Sequence, residues 1–369
     1  MKYTKFIIPI TLIAALLFVT PPSIAQINGK AVISYFSGNP DRLDSFDARK
    51  MTHIIYCFGH LEGNRLKIDK ARDTTTIRKM VQMKKQNPAL KVLLSLGGWG
   101  GCKTCSDVFN TSKGRKEFAT SVKETNQYFG ADGIDLDWEY PVVEGFPGHP
   151  FRPQDKENFT ALVQELRSAL GNKQVITFAA GGFQKYLEQA IDWKKVMPLV
   201  DYVNLMTYDL VSGFSTVTGH HTPLYSSVKT RESTDKCVQY LKRIGVNPAK
   251  LIVGAAFYAR VWENVPDVNK GLYQQGKFKT AINYRDFSAK LSSANGYQFH
   301  WDDSTQAPYA YNPTEKLFAT FDDKRSVALK TTYVVEQKLG GIMYWELGLD
   351  IYRDGLVDTI LETLHKTRK

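Results

Sequence analysis

Cysteine is scarce in this sequence of 369 residues: four are present, too few for the disulfide-dense scaffold of a small exported domain. Cys102 and Cys105 share one loop, G-G-C-K-T-C-S, and a local bridge between them is the leading reading. The alternative, a zinc site, needs a second ligand pair, and none appears at suitable spacing. Cys57, in an apolar strand pattern, and Cys237, in a helical one, are expected as buried thiols. Long apolar runs are missing beyond residue 19, so nothing downstream is expected to span a bilayer. Dense basic runs are missing too. Lys and Arg (48) outnumber Asp and Glu (37), giving a formal charge of +11, but the basic residues are scattered. Solvated faces, rather than a nucleic-acid-binding arm, are the expected result. No internal repeat or low-complexity segment interrupts the chain.

The first 25 residues read as a signal peptide. Lys2 and Lys5 precede an apolar run over residues 6–19, and Ser23-Ile24-Ala25 ends on small side chains. Cleavage after Ala25 would leave 369 − 25 = 344 residues, and loss of the two lysines would lower the charge to 11 − 2 = +9. The expected protein is secreted, extracellular or periplasmic, with no membrane anchor.

Residues 132–140 read D-G-I-D-L-D-W-E-Y. Asp135, Asp137 and Glu139 alternate with Ile134, Leu136 and Trp138, which is the period of a strand. The acids therefore share one face and the apolar residues the other. Neighbouring acids would stand roughly 6–7 Å apart, twice the rise per strand residue. A strand whose acidic side merely faces water is the plain alternative. Three adjacent like charges opposite a deeply apolar face favour a parallel strand with its acids in a closed interior. Carboxylates there cannot all ionise cheaply, so at least one pKa rises, and a carboxyl protonated near neutral pH can act as a general acid.

Short apolar runs over 31–36, 53–58, 91–96, 132–139, 175–180, 202–207, 251–257 and 342–345 suit parallel strands covered by helices. Helical patterns occupy 76–86, 113–129, 155–170, 232–244, 324–338 and 355–364. The alternation spells an α/β fold, a TIM (β/α)8 barrel, spanning 26–369. After Phe257-Tyr258-Ala259-Arg260, roughly sixty residues pass before the next helix, far beyond an ordinary loop. That stretch is rich in Tyr, Phe, Gly and Asn, which argues against disorder.

Asp132, Asp135, Asp137 and Glu139 fill Asp-x-x-Asp-x-Asp-x-Glu, and Ser95-Leu96-Gly97-Gly98 fills Ser-x-Gly-Gly. In both motifs the chain resembles glycoside hydrolase family 18. The resemblance covers essentially all of the mature sequence. It implies an α+β insertion over 263–318, between strands seven and eight, as many chitinases of the family carry. It also implies retaining hydrolysis of β-1,4-linked N-acetylglucosamine chains, in which the substrate's own acetamido group is the nucleophile. By the same resemblance Glu139 is the acid and base, and Asp137 holds the acetamido N–H. Asp135 shares a proton with Asp137, and Tyr208 donates to the acetamido carbonyl. Asp132, Ser95, Gly97 and Gly98 are structural. Met206, Asp209, Tyr258, Arg260 and the floor residue Trp345 match the family's sugar contacts. Tyr35, Phe58 and Trp99 lie at other strand ends and are expected in the groove, with barrel core as the alternative for Tyr35 and Phe58. Trp138 is expected in the core. His220 and His221, in G-H-H-T-P-L-Y, lack further ligand partners, so no metal and no cofactor are expected. The expected partners are chitin or chitooligosaccharides, bound by a monomer. Rival readings are an endo-β-N-acetylglucosaminidase acting on N-glycans, whose relatives usually lack the insertion, and a non-catalytic chitin-binding lectin, which typically lacks the acid.

Overall fold

Eight parallel strands are buried on both faces, which is why each reads as a nearly unbroken apolar run. The computed structural model describes residues 29–367; the expected signal peptide over 1–25 lies outside the described residues. The strands are β1 (Ala31–Phe36), β2 (His53–Glu62), β3 (Lys91–Gly97), β4 (Gly133–Asp137), β5 (Val175–Gly181), β6 (Tyr202–Met206), β7 (Leu251–Ala256) and β8 (Gly341–Trp345). Each pairs in parallel with its chain neighbour, and β1 pairs with both β2 and β8, so the sheet closes on itself. This is a TIM barrel.

Alternation along the strands separates two apolar layers. Ile33, Ile55, Leu93, Ile252 and Met343 fill the barrel interior. The opposite residues pack against the helices α1 (Ala71–Gln82), α2 (Ser112–Phe129), α3 (Asp155–Leu170), α4 (Thr234–Arg243), α5 (Lys324–Glu336) and α6 (Leu356–Lys366). Phe118 and Val122 of α2 and Phe159, Leu162 and Leu166 of α3 are buried there, each contributing on the order of 1.5–3 kcal/mol. Trp138 joins this outer layer, with its ring 5.6 Å from Phe109 and 6.4 Å from Phe159.

Local signals fix the helix ends. Thr111 caps α2 by accepting from Gly114 N, and Gly130, at φ 73°, ends it in the left-handed region that favours glycine. Helix α1 begins at Ala71, five residues before the apolar period predicts. Its first turn is polar and mostly exposed, so no hydrophobic spacing announces it; Asp73 caps it by accepting from Lys70 N.

The insertion is a five-stranded antiparallel sheet. Its strands run Lys277–Asn283, Tyr258–Glu263, Leu317–Thr320, Ala307–Asn312 and Gln298–Asp302 in spatial order. Trp262, Tyr311 and Phe318 form part of its own core. The sheet opens at Tyr258, ahead of the 263 boundary read from sequence, because its first strand follows β7 almost without a loop.

Candidate active site

The register of the barrel aligns three polar side chains across neighbouring strands: Ser95 of β3, Asp135 of β4 and Thr177 of β5 are direct partners. All three point inward. Asp135 is fully buried and accepts four side-chain hydrogen bonds. Tyr35 and Ser95 donate to Oδ2 at 3.1 and 2.9 Å, and Thr177 and Asn204 donate to Oδ1 at 2.6 and 3.1 Å. Burial pushes its pKa up, and these four donors oppose that rise. Tyr35, expected in the groove, is only 2% exposed. Its hydroxyl meets Asp135 and Asn204, and its ring lies in the barrel core, the alternative given for this residue, against Trp345.

Asp137, one step up the same face, is buried, and its Oδ1 has no hydrogen-bond partner. Burial, then the charges of Glu139 and Asp135, hold its pKa well above the ordinary carboxylate value. Glu139 lies just beyond the carboxyl end of β4 and is half-buried. Burial, reinforced by the charge of Asp209, pushes it up to about 7, against a hydrogen bond from Tyr140. A stack of three inward acids thus ends in one that is partly protonated at neutral pH. Asp132 sits at the opposite end of β4, accepting from Val92 N at 2.7 Å and pairing with Lys84 at 2.6 Å.

Backbone contact explains the two glycines of the neighbouring strand end. Gly97 has φ 112°, and a Cβ there would stand 2.1 Å from the carbonyl oxygen of Asp137. Gly98, at φ 77°, would drive a Cβ to 2.4 Å from the Phe58 ring. Any side chain at either place would push β3 off the acid strand or displace Phe58.

A second cluster forms where β6 and β7 end. Asp209, itself at φ 56°, accepts from the Tyr258 hydroxyl at 2.7 Å and from Nε and Nη2 of Arg260. His221 Nδ1 lies 3.4 Å from the same carboxylate. Tyr258 and Arg260 reach it together because they are alternate residues of one strand. Burial works against the Asp209 charge, yet the bonds from Arg260 and His221 win and hold its pKa far below the usual range. Tyr208 is buried between this cluster and the barrel axis, its ring 6.4 Å from that of Tyr258, and Met206 lies in the interior beside it.

Aromatic rings supply the apolar surface. Phe58 stacks on Trp345 at 5.6 Å and 16°, and Tyr35 meets Trp345 at 5.8 Å. Trp99 stands 49% exposed at the rim, 5.5 Å from Phe146 and 6.1 Å from Phe214, which is 67% exposed. Cys102 and Cys105 are joined as a disulfide in the turn that follows Trp99, while Cys57 and Cys237 are free and buried. Three non-proline peptide bonds are cis: Cys57–Phe58, Glu139–Tyr140 and Trp345–Glu346. Among the described residues, no group of three His, Cys, Asp or Glu side chains is placed to hold a metal ion. His220 is instead paired with Asp302 of the insertion at 3.0 Å.

The family model described as Glycosyl hydrolases family 18 matches residues 31–350. The chain belongs to that family. Chitinase A1 of Niallia circulans is 34% identical over 298 residues, 74% of this chain and 42% of that protein. Chitinase B of Serratia marcescens is 27% identical over 380 residues, 82% of this chain and 74% of that protein. The chain thus spans less than half the length of Chitinase A1. Among solved structures, a family-18 N-acetylglucosaminidase from Paenibacillus barengoltzii has a TM-score of 0.82 at 34% identity, covering 90% of this chain and 99% of that one. A Bacillus thuringiensis chitinase has a TM-score of 0.85 at 27% identity, covering 91% of this chain and 70% of that one.

Some residues of this candidate site lie outside the motifs read from sequence. Thr177 and Asn204 reach Asp135 only through strand register, which no local pattern encodes. Phe146 and Phe214 sit in irregular loops. His221 was visible as one of two adjacent histidines, but its partner Asp209 lies twelve residues away on the far side of a loop.

Proposed function

We propose that this family-18 hydrolase is a chitinase that cleaves β-1,4-linked N-acetylglucosamine chains with retention. The observation that carries the reading is the acid stack on β4, which ends in a half-buried Glu139 with a pKa pushed up to about 7. Glu139 gives its proton to the glycosidic oxygen as the bond to the anomeric carbon breaks, and the leaving chain departs as an alcohol. The acetamido carbonyl oxygen attacks that carbon from the other side, closing a cationic oxazolinium ring. Asp137, charged or sharing a proton with Asp135, accepts the acetamido N–H and stabilises the cation. Tyr208 donates to the carbonyl oxygen and fixes its line of attack. Glu139, now ionised, takes a proton from the water that opens the ring, so the anomeric configuration is restored. Trp345 and Phe58 form an apolar floor for the C–H face of the sugar, and Trp99 extends it at the rim. The leader-like residues 1–25 support export of the protein.

Chitotetraose and chitohexaose, followed by anomer-resolved chromatography, test the reading. Products formed first as β-anomers are expected. Uncleaved oligomers, with glycan released from a high-mannose glycoprotein instead, would replace it with the N-glycan reading. A second reading, removal of single N-acetylglucosamine units from a chain end, is favoured by the likeness to the Paenibacillus barengoltzii enzyme along 99% of that chain. Monosaccharide as the sole early product would select it.

A further inference from the structure

Outside the groove, among the described residues, one Lys–Asp ion pair has both partners completely buried. Asp322, which follows the last strand of the insertion, and Lys330, on α5, are both 0% exposed. All three protons of the Lys330 ammonium are used: two reach Asp322 Oδ1 and Oδ2 at 2.9 and 2.7 Å, and one goes to Thr222 Oγ1. Asp322 also accepts from Ala256 N at 2.9 Å and from Ser326 Oγ at 2.7 Å. The Thr222 hydroxyl lies 3.2 Å from both the Thr207 carbonyl oxygen and Asp322 Oδ2, and its single proton can serve either.

These contacts join four segments that border the site. Thr207 precedes Tyr208 at the end of β6. Ala256 ends β7, two residues before Tyr258. Thr222 follows His221, whose ring faces Asp209 and whose backbone N–H donates to Thr320 Oγ1 at 3.1 Å. Asp322 closes the insertion that carries Tyr258 and Arg260. A fully buried pair is poor value as a stabiliser, because desolvation offsets most of the attraction, and apolar replacements of equal volume are often neutral. Burial by itself drives the Lys330 ammonium toward its neutral form, and Asp322 opposes this.

We propose that Asp322, Lys330 and Thr222 are positioning residues: their buried network sets the carboxyl ends of β6 and β7 so that Tyr208, Asp209, Tyr258 and Arg260 face the acid stack in register. The proposal rests on the chitinase reading for its substrate. Wild-type turnover of chitotetraose tests that reading first, so its failure is separable from failure of the network's role.

The test compares two variants of the full chain. Lys330→Met with Asp322→Asn removes both charges together and keeps the volume, so no lone charge is left buried. Thr222→Val keeps the Lys330–Asp322 contacts but cuts the link to β6 and leaves one Lys330 ammonium proton without its acceptor. Each is measured for thermal midpoint, kcat and KM. Misplacement of catalytic groups by about 1 Å costs on the order of 100-fold in rate. The expected result is kcat lowered about 10- to 100-fold in both variants, with the midpoint of the double variant close to wild type. A folded double variant with wild-type kcat overturns the proposal, whatever its midpoint. If the double variant does not fold, Thr222→Val decides: the lost acceptor lowers its midpoint in either case, a lowered kcat in the folded variant supports the role, and an unchanged kcat overturns it.

Discussion

Replacing Thr177 by Val removes one donor from Asp135 with almost no change in shape. The side chain is fully buried, so no water takes the hydroxyl's place, and its bond to Oδ1 is the shortest of the four at 2.6 Å. A hydrogen bond to a charged group contributes about 1.5–3 kcal/mol, and one between neutral groups about 0.5–1.5 kcal/mol. Because the charged form loses more than the neutral form, the lost donor lifts the Asp135 pKa further. The direction follows from linkage. Burial already raises this pKa in the folded chain above its unfolded value of about 3.9. The folded state is therefore favoured while the group is protonated and loses stability as pH rises from the unfolded value through the folded one. The variant sharpens that loss. It is expected to cost more at pH 7 than at pH 4, because the charged form, which gains population as pH rises, loses the stronger bond. Urea midpoints for wild type and variant at the two pH values measure the difference. An equal loss at both would refute the reasoning, since Asp135 would then not be bound as an anion.

Other outcomes follow from the same geometry. With the Glu139 pKa pushed up to about 7, kcat/KM is expected to fall about tenfold per pH unit on the alkaline side of that value; a plateau continuing far above it in the pH–rate profile contradicts the assignment. Trp99→Ala and Phe214→Ala each remove an exposed ring, so the thermal midpoint should stay put while KM for chitohexaose rises about 2- to 10-fold, the equivalent of a ring contact of about 0.5–1.5 kcal/mol. Gly97→Ala places a Cβ against the Asp137 carbonyl and is expected to destabilise by about 3 kcal/mol or more, seen as lost soluble yield or a collapsed midpoint.

Much of the barrel is legible along the chain because parallel strands buried on both faces leave continuous apolar runs. The acid stack is legible for a related reason: alternation over 133–139 fixes which side chains share a face without any long-range information. Long-range pairing is what the chain does not display locally. Thr177 and Asn204 look like ordinary strand residues until register sets them against Asp135. Tyr35 shares its strand-end position with Phe58 and Trp99, and only the position of Asp135 shows that its hydroxyl turns inward. Tyr258 and Arg260 stand out as motif residues, but that they also begin the insertion sheet depends on pairing with residues 277–283 and 317–320. The Asp322–Lys330 pair is invisible for the same reason, since a lysine on a helix most often reads as solvated.

Glu139→Gln is the most direct test of the central claim. Glutamine keeps the size and can hydrogen-bond, but it cannot give up a proton to the glycosidic oxygen. With chitotetraose as substrate, the variant should fold and bind the oligomer as wild type does, while kcat falls about 10²–10⁴-fold, the usual contribution of a positioned general acid. A folded variant that turns over chitotetraose at the wild-type rate would contradict the assignment of Glu139 and the catalytic role of the acid stack behind it.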